Sequence, residues 1–185
     1  RRDTLSESEA PGSNLLNSHH DQQEVMQKKT ITEQEALVKL SGLCVKAEHS
    51  SGEMLQKMRL WQMADDARER VLRQLVDQQF VDDARFAKAF IADKIQYNGW
   101  GRRKIEQALR LKGVAESIYM PILDEVSDEE YLAQLRPLLK SKWKQIRANS
   151  DYERSGKLIK FAMSRGYTLD IIRQCIDSAV EADWE

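Results

Sequence analysis

A pattern of six positions occurs three times along the chain, at offsets of 0, +4, +8, +9, +13 and +17 residues. The positions are apolar, except that the third is glycine in two copies and Gln62 in the other. The copies are Met54, Met58, Gln62, Met63, Ala67 and Val71, then Ile105, Leu109, Gly113, Val114, Ile118 and Ile122, then Leu158, Ala162, Gly166, Tyr167, Ile171 and Cys175. Since each copy must adopt the same local structure, the repeat restricts the chain to an array of like units.

Each copy predicts two helices joined by a tight turn. The first positions lie on one helical face, and the glycine suits the left-handed conformation that closes many helices. An apolar residue follows, and a second helix starts within two or three residues. Where Gln62 replaces the glycine, the turn must use another cap or accept some strain.

A further helical stretch precedes each pair, so the unit has three helices. These stretches are Leu37 to Cys44, Phe86 to Ile95, and Tyr131 to Leu139. We therefore predict an all-α fold, a tandem array of three three-helix repeats that is elongated and able to curve. The predicted boundaries are 30–81 for repeat one, 82–126 for repeat two and 127–185 for repeat three. Residues 1–29 are polar and too poor in apolar groups to offset their ordering entropy, which predicts a flexible tail.

Local signals mark where several helices begin and end. Capping-box patterns occur at Thr32 to Glu35, Ser50 to Glu53 and Ser127 to Glu130. Pro137 lies inside the helical pattern of repeat three and should kink that helix or end its first part near Arg136.

Composition limits the classes of function. The 29 basic and 30 acidic residues of this 185-residue chain give a net charge of -1, so any attraction to nucleic acid must come from local patches. Two cysteines without a CxxC motif favour a reducing compartment. No run approaches the roughly 18 apolar residues of a membrane helix. We expect a soluble, cytoplasmic protein that is a monomer and does not enter membranes.

The titratable residues do not form a catalytic or metal-binding pattern. His19 and His20 fall in the predicted tail, and His49 is isolated in a turn after Cys44, which reads as a small hydrophobe on a helix face. The carboxylate pairs fall where helices should start, and they suit capping there. They are Asp65 with Asp66, Asp82 with Asp83, and Asp128 with Glu129. We expect no catalytic residues, no metal and no cofactor.

One basic cluster invites a functional interpretation. A glycine-containing turn with Tyr97 and Trp100 leads to three successive cations, Arg102, Arg103 and Lys104, in the first turn of a predicted helix. Cations at an exposed helix N-terminus are unfavourable by about 0.3–1 kcal/mol each, so the arrangement costs stability. Arginines can bind phosphates or carboxylates, and the aromatic rings can stack on a base or fill a partner's pocket. Further positive charge follows on the same helix, at Arg110 and Lys112. The alternative is a solvated surface with Trp100 packed in the core.

A second basic cluster surrounds Trp143 on a predicted helix. Its members are Lys140, Lys142, Lys144 and Arg147. It is either a solvent-facing coat or a phosphate contact that ignores base sequence. The methionine and leucine stripe through residues 54–75 is likewise either core or a groove for a partner, and core packing is the more usual role.

Three passages resemble the RecX family of bacterial recombinase regulators, over roughly residues 33–180. They are Phe80 to Ala87, Trp100 to Ile105, and Lys112-Gly113-Val114. The first is the most specific, because an acidic pair between an apolar dipeptide and an aromatic helix face is not a general helix pattern. Gln62, Pro137 and the basic segment 140–147 depart from the family pattern.

The resemblance implies a regulator that binds the RecA recombinase filament in its groove and limits filament growth, strand exchange and coprotease activity. It also implies contact with single-stranded DNA. The expected contact residues are Arg102, Arg103, Lys104 and Trp100. Two alternatives remain open from the residues alone. The first is a helix-turn-helix-like DNA-binding regulator, and the second is a helical scaffold for peptides.

Overall fold

The computed structural model describes residues 30–181, and the side chains of residues 178–181 are left undescribed. Within this range the chain forms nine helices and no strand, which confirms the all-α prediction. Residues from Ile31 onward belong to one compact unit, and the predicted tail lies outside the described residues. The helices are α1 (Glu33–Lys46), α2 (Ser51–Leu60), α3 (Asp65–Asp77), α4 (Asp83–Gln96), α5 (Arg102–Leu111), α6 (Glu116–Asp124), α7 (Asp128–Gln145), α8 (Asp151–Ser164) and α9 (Leu169–Glu181).

Each predicted repeat range contains three of these helices. The capping boxes predicted at Thr32 and Ser127 are present, with both reciprocal hydrogen bonds. At Ser50 only half of the predicted box forms: its hydroxyl accepts the Glu53 N–H at 3.1 Å. The Glu53 carboxylate instead contacts His49 Nδ1 at 2.7 Å and Lys112 Nζ at 3.2 Å, so the predicted reciprocal bond is wrong.

The turn residues at the third repeat position all adopt positive φ. Gly113 has φ 72°, Gly166 has φ 90°, and Gln62 has φ 59°. Gln62 therefore adopts the left-handed conformation with a side chain, and this backbone strain, predicted above as one of two possibilities, costs about 1 kcal/mol. Glycine is needed at the other two turns for a second reason, close approach of another backbone. A Cβ on Gly113 would lie 2.6 Å from Gly52 Cα, and one on Gly166 would lie 2.4 Å from Lys104 Cβ.

These close approaches join the second helices of successive repeats end to end. The turn that ends α8 receives the start of α5, because the N–H groups of Gly101 and Arg103 donate to the carbonyls of Arg165 and Gly166 at 2.8 and 3.0 Å. The turn that ends α5 also receives the start of α2, but there the bond comes from a side chain: Ser50 Oγ donates to the Lys112 carbonyl at 2.5 Å, beside the close approach of Gly52 to Gly113. The second helices of repeats one and two thus each begin on the turn that closes the second helix of the next repeat.

The described residues contain two separate hydrophobic cores. Repeats two and three share one, which includes Tyr119, Leu135 and Tyr167. Repeat one has its own, formed around Leu40 and Met58, so the methionine stripe is core. Repeats one and two meet through the contact of α2 with the end of α5 described above and through further polar contacts. In one of these, the Ser51 N–H donates to Asp83 Oδ1 at 2.7 Å.

Helix α7 continues through Pro137 to Gln145, so the predicted end near Arg136 is wrong. Proline removes the N–H that would bond to the carbonyl of Ala133. Both residues lie on the exposed side of the helix, where water can satisfy that carbonyl. Leu135 and Leu139 are fully buried on the other side, and their packing stabilises the helix on both sides of the proline.

Candidate functional site

The cations Arg102, Arg103 and Lys104 occupy the first turn of α5, as predicted, with Gly101 as N-cap. The prediction that this helix terminus is exposed is wrong. Because the carbonyl end of α8 meets the N–H end of α5, the negative pole of one helix dipole offsets the positive pole of the other. The cations therefore sit at a junction between two repeats whose backbone is buried at Gly101, and the penalty expected from an isolated helix terminus is reduced there.

The three cations have different environments. The Arg102 guanidinium pairs with Asp124 Oδ1 at 2.6 Å and approaches Met120 Sδ at 3.7 Å, and its side chain is 28% exposed. Arg103 is exposed, and its guanidinium has no hydrogen-bond or ion-pair partner among the described residues. Lys104 is half-buried, with Nζ 4.6 Å from the centre of the Trp100 ring. Arg103 is thus the most available of the three to a partner.

Trp100 is half-buried and packs against the core that repeats two and three share. Its ring contacts two lysines, Lys104 and Lys94. Lys94 Nζ is 4.9 Å from the centre of the Trp100 ring and 5.2 Å from the centre of the Phe90 ring. The alternative that Trp100 packs in the core is therefore met in part, and its contact with a partner stays a prediction. Tyr97 is 77% exposed beside this arrangement.

The second basic cluster approaches the first through α8. Lys142 Nζ lies 4.9 Å from the centre of the Phe161 ring, and the Arg165 guanidinium lies 5.3 Å from the same ring. The Arg165 carbonyl also accepts the N–H of Gly101, so Arg165, Phe161 and Lys142 lie near the start of α5. We call the combined set the cation-aromatic surface. Its members are Phe90, Lys94, Trp100, Lys104, Arg165, Phe161 and Lys142.

The remaining members of the second cluster are dispersed. Lys140 and Lys144 are exposed on α7 and make no ion pair with a described residue. Arg147 follows the end of α7 at Gln145, so its predicted place on the helix is wrong. Trp143 at the centre of the cluster is covered, because the Arg154 guanidinium lies 4.0 Å from its ring centre.

Arg110 and Lys112 are engaged in contacts of their own. Arg110 bonds to Tyr119 Oη at 3.0 Å and to Glu106 Oε1 at 2.7 Å, and these contacts raise the pKa of its guanidinium. Lys112 pairs with Glu53 and belongs to the junction of repeats one and two. The structure therefore does not place Lys112 with the cations at the start of α5.

Sequence reasoning missed several residues of the cation-aromatic surface. Lys94 and Phe90 lie on α4, and Phe161 and Arg165 lie at the end of α8. None belongs to a local cluster of like charge, and only tertiary contacts bring them to Trp100 and Lys142. The one local signal for these residues was the spacing of Phe90 and Lys94, which lie four residues apart and so on one face of a helix.

A small cavity of about 90 Å³ lies behind Arg102, between repeats two and three. Asp128, Asp170 and Tyr131 help to line it. Burial raises the pKa of Tyr131 to about 12, and its hydroxyl has no hydrogen-bond partner among the described residues. Gln174 Nε2 lies 3.2 Å from Asp128 Oδ2 and 3.1 Å from Asp170 Oδ2, so an amide already occupies the space between the carboxylates.

The described residues contain no group of three or more histidine, cysteine or acidic side chains arranged to hold a metal ion. His49 pairs with Glu53, and burial raises the pKa of the Cys44 and Cys175 thiols. Among the helices of residues 30–181, none is both long and apolar enough to cross a membrane.

Comparison with known proteins identifies the family. Two family models match, described as the second three-helix domain of RecX over residues 82–119 and the third over residues 128–176. The regulatory protein RecX of Vibrio campbellii is 32% identical over 148 residues, which cover 80% of this chain and 91% of that protein. The chain belongs to the RecX family. A RecX protein of Clostridium botulinum strain Eklund 17B is 25% identical over 158 residues, covering 82% of this chain and 74% of the relative.

Solved RecX structures share the fold. A crystal structure of regulatory protein RecX superposes with a TM-score of 0.73 at 19% identity, covering 78% of this chain and 73% of the other. RecX from Lactobacillus salivarius gives 0.68 at 17% identity, covering 78% and 97%. The first RecX range contains α4, α5 and the start of α6, and the second contains α7, α8 and most of α9. Every residue of the cation-aromatic surface falls within these two ranges.

Proposed function

We propose that this RecX-family chain inhibits the RecA recombinase by binding in the groove of the nucleoprotein filament, where it limits filament growth, strand exchange and coprotease activity. The observation that carries the proposal is the cation-aromatic surface across repeats two and three. A surface rich in cations and flanked by exposed Arg103 and Tyr97 suits a partner that is acidic or that carries phosphate. This role is cytoplasmic and requires no catalytic residue, metal or cofactor.

The same surface supports contact with single-stranded DNA. Aromatic rings interleaved with cations are typical of surfaces that bind single strands without reading sequence. Lys94, Lys104 and Arg103 would neutralise phosphates, and the exposed ring of Tyr97 would stack on a base. Such contact should weaken steeply as salt is raised.

A sequence-specific helix-turn-helix role is less well supported. In that fold the second helix of the pair carries the base-reading side chains. Helix α6 holds that place in repeat two, yet its residues include no arginine, lysine, asparagine or glutamine. Its charged residues are Glu116 and Asp124, which a phosphate backbone would repel.

Charge reversal at the start of α5 tests the proposal. The double variant Arg103→Glu and Lys104→Glu should weaken inhibition of the recombinase's DNA-dependent ATPase and strand exchange by about tenfold or more, because attraction becomes repulsion. Arg73→Glu is the matched control, since Arg73 is exposed on α3 of repeat one and has no described partner. Circular dichroism should report the same helical content for all three proteins. Full inhibition by the double variant would show that the contact lies elsewhere.

A further inference from the structure

The four cations of the cation-aromatic surface have no carboxylate partner. Among the described residues, none of them makes an ion pair or a side-chain hydrogen bond, and each lies over at least one aromatic ring. They are Lys94, Lys104, Lys142 and Arg165, and all four are half-buried. Arg102 and Arg110 differ, since carboxylates of the same repeat pair with both. The charges of the surface are therefore left for an anion from outside the chain.

The three rings of the surface are not free to stack on a base. Phe90, Trp100 and Phe161 are half-buried, and each packs against the core that repeats two and three share. The Phe90 ring also stacks on buried Phe86, with ring centroids 5.6 Å apart. Cations lie over all three rings, so a base would compete with a cation for the part of each ring that the core leaves open. Tyr97 differs, because it is 77% exposed and no described cation lies over its ring.

Rings in this position keep like charges close together. Lys94 Nζ and Lys104 Nζ lie 4.9 and 4.6 Å from the centre of the Trp100 ring, so the two nitrogens are no farther apart than about one Debye length at 0.1 M salt. Repulsion and side-chain entropy would separate two free lysine side chains. The negative face of the indole attracts both ammonium groups and offsets that tendency. The Phe161 ring holds its two cations in the same way, at 4.9 and 5.3 Å from its centre.

The cations suit the phosphates of a nucleic-acid strand. Three of the four are lysines, which bind phosphate as point charges, whereas recognition of a carboxylate on a protein favours the bidentate guanidinium of arginine. The set begins on α4 at Lys94, continues at the start of α5 and reaches α7 at Lys142. It thus crosses both repeats, and a strand carries regularly spaced phosphates along such a path. A single carboxylate on a protein would engage only part of the set.

We propose that Phe90, Trp100 and Phe161 are positioning residues that hold the four cations for the sugar-phosphate backbone of a single strand, and that these rings do not stack on its bases. This inference rests on the proposed function, which includes contact with single-stranded DNA. It adds which part of the strand the surface recognises, and it leaves base stacking to the exposed ring of Tyr97.

The test measures whether the loss caused by removing a ring depends on the bases. Trp100→Leu is compared with the unaltered chain on two labelled strands of equal length, oligo-dT and the same sugar-phosphate chain without bases, by fluorescence anisotropy. We expect the variant to weaken binding about fivefold on both strands. The reason is that the two lysines over the ring lose their position, whereas no base contacts the ring.

Three further measurements distinguish positioning from a general structural effect. The slope of log affinity against log salt should become shallower by about one unit for each lysine that Trp100→Leu no longer holds. Trp100→Phe should restore most of the affinity, because the smaller ring still attracts cations. Phe161→Leu should also weaken binding equally on both strands, which provides a second ring for the comparison if Trp100→Leu does not fold.

Two variants serve as controls. Tyr97→Ala should weaken binding to oligo-dT only, since the proposed function places this exposed ring on a base. Trp61→Leu removes a ring of the same kind, with Lys39 Nζ 5.7 Å from its centre, but Trp61 lies in repeat one and packs against the separate core there. It should leave binding to both strands unchanged. Circular dichroism should report the same helical content for every variant.

Several outcomes would overturn the inference. A loss confined to oligo-dT would show that the Trp100 ring stacks on a base, and an equal loss in Trp61→Leu would show a general effect of a weakened fold. If Trp100→Leu bound both strands as tightly as the unaltered chain but inhibited the recombinase less, the ring would contact protein. If the unaltered chain bound neither strand, the ligand would be wrong, and the proposed inhibition would stand or fall separately on the recombinase assay.

Discussion

Two buried tyrosines at the junction of repeats two and three differ in one hydrogen bond. Tyr167 Oη donates to the Gly99 carbonyl at 2.8 Å and so joins the α8–α9 turn to the α4–α5 turn. Tyr131 Oη has no partner among the described residues. Burial raises the pKa of both phenols to about 12, so both stay protonated at neutral pH. Tyr167 therefore stabilises the junction through its hydroxyl, whereas the hydroxyl of Tyr131 is unpaired among the described residues.

Removing each hydroxyl should separate the two roles. We expect Tyr167→Phe to lower the free energy of unfolding by about 1–2 kcal/mol, because the Gly99 carbonyl loses its donor. We expect Tyr131→Phe to be neutral or to stabilise by up to about 1 kcal/mol, because it removes a buried polar group without a partner. Urea unfolding followed by circular dichroism measures both. Equal losses would mean that Tyr131 has a hydrogen bond of comparable strength.

At the level of helices, the end-to-end contact between α8 and α5 holds the cation-aromatic surface together. It places two carbonyls against two N–H groups at the start of α5, and it leaves no room for a side chain on Gly166. The cations at Arg103 and Lys104 depend on this contact for their position. The stability of the junction and the geometry of the candidate site are thus linked.

Substitution of Gly166, which follows α8, and of Gly156, which lies inside it, tests that contact. Gly166→Ala should destabilise the protein by about 2–4 kcal/mol, because an alanine would adopt positive φ and collide with Lys104. Gly156→Ala is the control, since Gly156 lies within α8 with nothing within 4 Å of an added Cβ. That change should stabilise by about 1 kcal/mol through helix propensity. Chemical denaturation measures both, and a tolerated Gly166→Ala would contradict the close approach.

The sequence predicted the helices and their turns because the signals are local. Capping residues at Thr32 and Ser127, and glycines at 113 and 166, lie within a few residues of the structure they determine. The candidate site was predicted only in part. Arg102 was grouped with its neighbours, but Asp124, 22 residues away, takes its guanidinium. No local pattern could reveal such a partner, because it depends on how the repeats pack.

For the described part of the molecule as a whole, the division into two hydrophobic cores is the main feature. Repeats two and three are continuous through one core, whereas repeat one has its own. Repeat one meets repeat two through the Gly52–Gly113 contact and polar pairs such as Arg85 Nε with Glu48 Oε1 at 2.6 Å. Pairs of this kind contribute little to stability at the surface. The two cores should therefore lose structure separately.

Two cavity-forming substitutions test this separation. Met58 and Leu135 are both 0% exposed, and truncation of either to alanine should cost about 2–5 kcal/mol. Met58→Ala should speed amide hydrogen exchange in residues 33–77 and leave residues 83–176 nearly unchanged, because the second core does not depend on the first. Leu135→Ala should speed exchange across repeats two and three together, since those repeats share one core. Mass spectrometry of peptic peptides resolves these segments. Faster exchange throughout the chain in both variants would show that the polar junction couples the cores, and the repeats would then unfold as one unit.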